Sequence, residues 1–162
     1  MLKFIYTKVA GQRTLSLTPA RVPRMLRAMQ KRSTWEGVII SPDAKPGPDG
    51  QGQYPVLSLA WYPSYGFEAH CMELAPTSFF VATGGELSKP EVYVELGGSG
   101  RELWPRELFV PFPVAEQAAL HLLLTGERDP SLRWVAIDAF PRKTVRVRRQ
   151  LPSLPSRVAD DA

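Results

Sequence analysis

The sequence predicts an α+β domain: an antiparallel β-meander sheet packed against two main helices, which form a single layer on one face. Three observations carry this reading. Four strand-like segments follow one another between residues 54 and 96, with breaks at Pro63-Ser64, Ala75-Pro76 and Gly84-Gly85. Short strands at this spacing favour an antiparallel meander. Two other segments, around residues 18–31 and 113–125, repeat apolar residues at helical spacing. Finally, the chain has 162 residues and 44% hydrophobic residues. That length favours one domain, which can bury roughly 70% of its unfolded surface.

The elements follow in order. Leu2 to Val9 is rich in β-formers and reads as a strand. Thr18 can cap a helix and Pro19 can take its first position. Val22, Met25, Leu26 and Met29 then recur on one helix face, with Arg21, Arg24, Arg27 and Lys31 largely on others. Pro23 removes an early hydrogen bond, which moves the regular helix start towards it. The basic face reads as solvated rather than anion-binding. Trp35 to Ile40 is a strand, and the Pro/Gly-rich stretch from Ser41 to Gln53 is a loop.

The four meander strands are Tyr54–Tyr62, Gly66–Leu74, Ser78–Thr83 and Glu91–Leu96. In the last, Val92, Val94 and Leu96 alternate with Tyr93 and Glu95, the pattern of a half-buried strand. Gly97, Gly98 and Gly100 read as turn chemistry, because they lack both the G-x-G-x-x-G and the G-K-[ST] registers of phosphate loops. Pro113 to Thr125 is the strongest helix, with Ala115, Ala118, Ala119 and Leu122 on one face and Gly126 placed to stop it. Leu120 and Leu124 fall in its polar arc and are expected to be buried by a second layer, the alternative being an exposed apolar patch. Arg133 to Ile137 is a last strand. The domain is expected to span 1–140, with 141–162 as a basic, flexible tail.

The net charge is +4, which by itself suggests a nucleic-acid partner. Partitioned, residues 1–35 carry +8, residues 36–138 carry −8 and residues 139–162 carry +4. The body of the domain is therefore acidic, which argues against a broad nucleic-acid surface there. No secretory leader and no run of about 18 apolar residues occurs, so the chain is expected to be cytoplasmic and not membrane-bound. A single Cys suits that compartment and forms no internal disulfide.

Catalytic signals are sparse. Cys71 follows His70, but neighbours on a strand point to opposite faces, so the two cannot act as nucleophile and base. Cys71 reads as a core residue and His121 as a solvated histidine. No spacing typical of zinc ligands occurs, and no cofactor or metal is expected. Carboxylates are plentiful, yet none can be paired across a cleft from sequence. The aromatics are more suggestive. Trp35, Trp61 and Trp134 read as core. Tyr62, Tyr65 and Trp104 lie at turns and could be core or interface anchors, since aromatic and Arg side chains dominate interface hot spots.

The run PEVYVELGGSGRELWPRELFVP, followed by EQAALHLLLTGERDPSLRWVAID, carries a family resemblance. Its elements are a strand ending at Gly97-Gly98, a helix ending in Thr125-Gly126-Glu127, Pro130 soon after, and Trp134 on the closing strand. Over roughly residues 18–138 the chain resembles the first-numbered immunity-protein family of bacterial polymorphic toxin systems. The long Pro-rich loop and the tail past Phe140 lie outside the resemblance.

The resemblance implies an α+β cytoplasmic inhibitor with no enzymatic activity of its own. It would bind one cognate toxin, most often a nucleic-acid deaminase, as a heterodimer. The function expected is steric occlusion of the toxin's active-site mouth. Such mouths tend to be basic, which the acidic body would complement. The toxin-binding residues expected are Tyr62, Tyr65, Glu86, Glu102, Trp104 and Arg106. The alternative is a nucleic-acid-binding module that uses the basic N-terminal helix and the tail. A small enzyme ranks last.

Overall fold

A computed structural model describes residues 3–9, 11, 13–43, 55–74, 77–96 and 100–145. The chain opens with the hairpin β1 (Phe4–Lys8) and β2 (Thr14–Leu17), then helix α1 (Val22–Gln30). Strands β3 (Glu36–Pro42), β4 (Val56–Tyr62), β5 (Gly66–Leu74) and β6 (Thr77–Ala82) follow. Next come β7 (Val92–Leu96), β8 (Gly100–Trp104), helix α2 (Phe112–Thr125), β9 (Trp134–Ala136) and β10 (Lys143–Val145). A seven-stranded sheet has the order β2-β1-β3-β4-β5-β6-β9, and a three-stranded sheet the order β10-β8-β7. Every pairing among these strands is antiparallel.

The period-two alternation of the large sheet sorts its side chains into two faces. On one face lie Phe4, Val38, Ile40, Leu57, Leu59, Phe67, Ala69 and Cys71, all buried under the two helices. Helix α1 contributes Val22, Met25, Leu26 and Met29 to this core, and α2 contributes Ala115, Ala118, Ala119, Leu122 and Leu123. The helices thus form the expected single layer on one face.

The opposite face carries a second core. Ala60, Tyr62 and Val81 of the large sheet pack against Val92, Val94 and Trp104 of the small sheet, with Leu108, Phe109 and Phe140 alongside. The small sheet is therefore a third layer, covering part of the face the helices leave open.

Local chemistry sets the helix ends. A 3-10 turn, Pro19–Arg21, precedes α1, and the Arg21 N–H donates to the Thr18 carbonyl at 2.9 Å. The Thr18 hydroxyl makes no capping bond, and Pro23 sits in the first turn of α1, where its missing N–H costs nothing. At the end of α2, Gly126 takes φ +76° and returns its N–H to the Leu122 carbonyl at 2.8 Å.

The structure departs from the expected elements in several places. β2 is a strand in a stretch to which no element was assigned, and β8 begins at Gly100, one of the glycines expected to serve as turn chemistry. β10 pairs with β8 from Lys143 to Val145, so the folded domain runs past residue 140; the rest of the expected tail, 146–162, lies outside the described residues. The loop expected at Ser41 to Gln53 falls largely outside them too, and β3 extends to Pro42. Leu120 packs on the core but Leu124 is 72% exposed, and no further layer of described residues lies over the helices. Trp35, expected in the core, is exposed and lies over Gly37, whose missing side chain leaves room for the indole.

Candidate functional site

The tip of the β4–β5 hairpin is built against the segment that links β8 to α2. The Tyr65 N–H donates to the Tyr62 carbonyl at 2.9 Å, closing the turn. Phe67 and Val110 then exchange two backbone hydrogen bonds, of 2.9 and 2.7 Å. Gly66 makes this approach possible. Its φ is +117°, and a Cβ there would stand 2.8 Å from the Val110 carbonyl oxygen.

Phe109 is the platform of the tip. The buried Tyr62 ring meets it edge-on at 5.0 Å, and the Tyr65 ring meets it at 5.7 Å. Tyr65 is 42% exposed, and the Arg106 guanidinium sits 5.7 Å from its ring centroid. The geometry is an exposed aromatic held between a buried ring and a cation.

Glu86 is exposed on the loop between β6 and β7. That loop is tied to the same segment. The Gly84 N–H donates to the Glu107 carbonyl at 2.8 Å, and the Ser88 N–H and hydroxyl donate to Glu107 Oε2 at 3.0 and 2.9 Å. The Ser88 backbone bond is the first cause holding the Glu107 carboxyl below its usual range.

The six expected contact residues therefore divide. Tyr65, Arg106 and Glu86 are exposed on elements joined at one end of the molecule. Tyr62 and Trp104 are buried in the second core and offer no surface. Trp104 is only 1% exposed, packs edge-on to Phe140 at 5.0 Å and donates Nε1–H to Glu102 Oε2 at 2.8 Å. Glu102 is half-buried and also faces Arg142 at 4.0 Å, so it serves the fold.

Sequence reasoning missed the pair Glu68 and His70. Alternation along β5 places both on the face away from the helices, a signal present in the run FEAHC. Glu68 Oε1 lies 3.8 Å from His70 Nδ1. Burial pushes the Glu68 carboxyl up to about 8 and the His70 imidazole below its ordinary value. At pH 7 Glu68 is largely protonated, so the acidic body carries about one negative charge fewer than its formal −8. Two more of its acids are spent internally: Glu36 on Lys8 and Arg32, and Glu73 on Arg128 at 2.7 Å.

The remaining reactive groups serve structure. Cys71 lies in the helix-side core, and burial, reinforced by the Glu73 charge, pushes its thiol up to about 11, so it holds no thiolate at neutral pH. His121 is half-buried, 3.8 Å from Asp129, rather than solvated. Burial raises the Asp129 carboxyl, but hydrogen bonds from Ser131 and Gln117 outweigh it and leave the group below its usual range. A groove of about 370 Å³ between β2 and the end of α2 gathers no titratable side chain except Lys3. Among the described residues, no three His, Cys, Asp or Glu side chains are grouped to hold a metal ion. No helix among them is long and apolar enough to cross a membrane.

No family model matches this chain, and no match is found among the curated proteins or the solved structures.

Proposed function

We propose that the protein is a cytoplasmic immunity protein that binds and sterically inhibits one cognate toxin, a nucleic-acid deaminase, through the tip of the β4–β5 hairpin. The observation that supports this is the Tyr65–Arg106 pair on its Phe109 platform. Tyr and Arg are the side chains that most often carry binding energy, and they do so best when little rotamer freedom remains to be lost. Here Tyr65 is already seated between a ring and a guanidinium. Glu86, on the tethered loop beside it, supplies an acid for a basic rim.

The test is co-expression of the protein with the deaminase-type toxin encoded beside it, followed by size exclusion. Rescue of growth and a one-to-one complex are expected. Continued killing with no complex overturns the reading.

A second reading has its own support. Arg24 and Arg27 on α1 and Lys31 just past its end are exposed, and α1 has no acid in its first turn. A nucleic-acid module using this ridge would bind with a steep salt dependence, lost in R24A/R27A/K31A.

A further inference from the structure

The small sheet covers only part of the large sheet's second face. Among the described residues, nothing further covers it across β2, β1 and β3 and the outer ends of β4, β5 and β6. Strand register places Thr7, Ile39, Ser58 and His70 in one row across it. Val9, Trp35, Ile39 and Phe79 are all exposed there. On this open part none of the described strand positions is Lys, Arg, Asp or Glu; Glu68 lies at its boundary, buried. An antiparallel sheet that faces water normally alternates apolar-in with polar-out. A charge-free outer face with exposed aromatics marks an interaction surface.

We propose that this open face is the interface of a homodimer, in which two copies pack sheet on sheet. The inference does not rest on the identity of any toxin. Three observations favour a second copy over a different partner. A two-fold axis brings the same patch against itself, and a charge-free patch meets itself without like-charge repulsion. A partner recruited by charge finds nothing to read here, unlike at the Arg106 and Glu86 end.

Area is the second argument. Six strands spaced about 4.8 Å apart and five residues long at about 3.4 Å each give about 500 Å² of flat face. Two copies bury about 1,000 Å² before side-chain relief is counted, which reaches the threshold of a specific interface at its weak end. Continuity is the third. The covered part of the same face already packs against a sheet, and a second copy extends that layer in the geometry of stacked sheets about 10 Å apart.

The experiment is sedimentation equilibrium on the full chain from about 1 to 200 µM, bracketing a micromolar dissociation constant. Wild type is expected to move from monomer to dimer across this range. I39K and F79K are each expected to stay monomeric with an unchanged far-UV spectrum, and R106A is expected to dimerise as wild type does. Both positions are exposed, so either variant can stand alone if the other misfolds. A wild type that stays monomeric throughout overturns the proposal, including the case in which I39K instead loses a toxin complex. Self-association that persists in the folded variant overturns it equally.

Discussion

Glu68 and His70 stand two residues apart on one strand, with Oε1 3.8 Å from Nδ1, and each keeps a buried polar atom without a hydrogen-bond partner among the described residues. The pair lies where the small sheet stops covering the large one. Two titratable groups are thus held in their neutral forms by burial rather than by partners.

Glu68 makes stability fall with rising pH. Its carboxyl titrates near 4.5 when unfolded and about 8 when folded. Its contribution is complete below the unfolded value and is lost as pH rises through the folded one, at up to about 1.4 kcal/mol per pH unit. His70 acts oppositely: its depressed value removes stability as pH falls below 6.5. Urea midpoints at pH 5, 6.5 and 8.5 should show E68Q gaining on wild type as pH rises. Parallel curves for the two proteins would refute this.

Trp104 and Tyr65 should separate by phenotype. Trp104 fills the second core, so W104A should cost about 3–5 kcal/mol of stability. Tyr65 is exposed, so Y65A should cost about 1 kcal/mol or less while weakening the proposed toxin complex about 10- to 100-fold. Denaturant unfolding and calorimetric titration of the same two variants test both halves.

Gly66 tolerates no side chain. Its positive φ and the Val110 oxygen 2.8 Å from a Cβ both oppose G66A. The substitution should lower stability by more than about 1 kcal/mol and loosen the Phe67–Val110 bridge, seen as faster amide exchange at both residues.

Arg128 ties the turn after α2 to the helix-side face of β5 and β6. Its guanidinium lies 3.7 Å from the Phe80 ring centroid and bonds Glu73. R128K keeps the charge but loses the flat stacking surface, so it should recover only part of the stability lost in R128A. Equal thermal midpoints for R128K and wild type would contradict this.

Much of the first core was legible because its signals are local. Gly66 and Leu74 bound β5 as the Pro/Gly breaks implied, and the apolar repeat of α2 named its buried face. β2, β8 and β10 carry little local pattern. Three to five residues such as KTV become a strand only because β8 lies beside them, and that neighbour is set by the fold. The fate of Trp104 followed from the same gap: without β8 and the small sheet, nothing marked it as core. Of the candidate site, Tyr65 and Arg106 were legible as residue types at turns. Phe109, which orients Tyr65, became visible only when the hairpin tip closed on it.

From β3 to β6 the large sheet is a meander, whereas the chain reaches β3 from β2 by way of α1 and pairs it on the other side of β1. The chain leaves at Ala82 and returns at Trp134, where β9 pairs with β6. Within this interval lie α2 and two strands of the small sheet. The β4–β5 and β5–β6 turns close within a few residues and are cheap in entropy, whereas β6–β9 must close a loop of about fifty residues. Pairing of that kind forms late in folding. Once formed, three residue pairs in β9 act as a clasp around everything threaded between. When the clasp opens, helix and small sheet lose their anchor together, so their amides should exchange with hydrogen as a single cooperative unit, ahead of β3, β4 and β5.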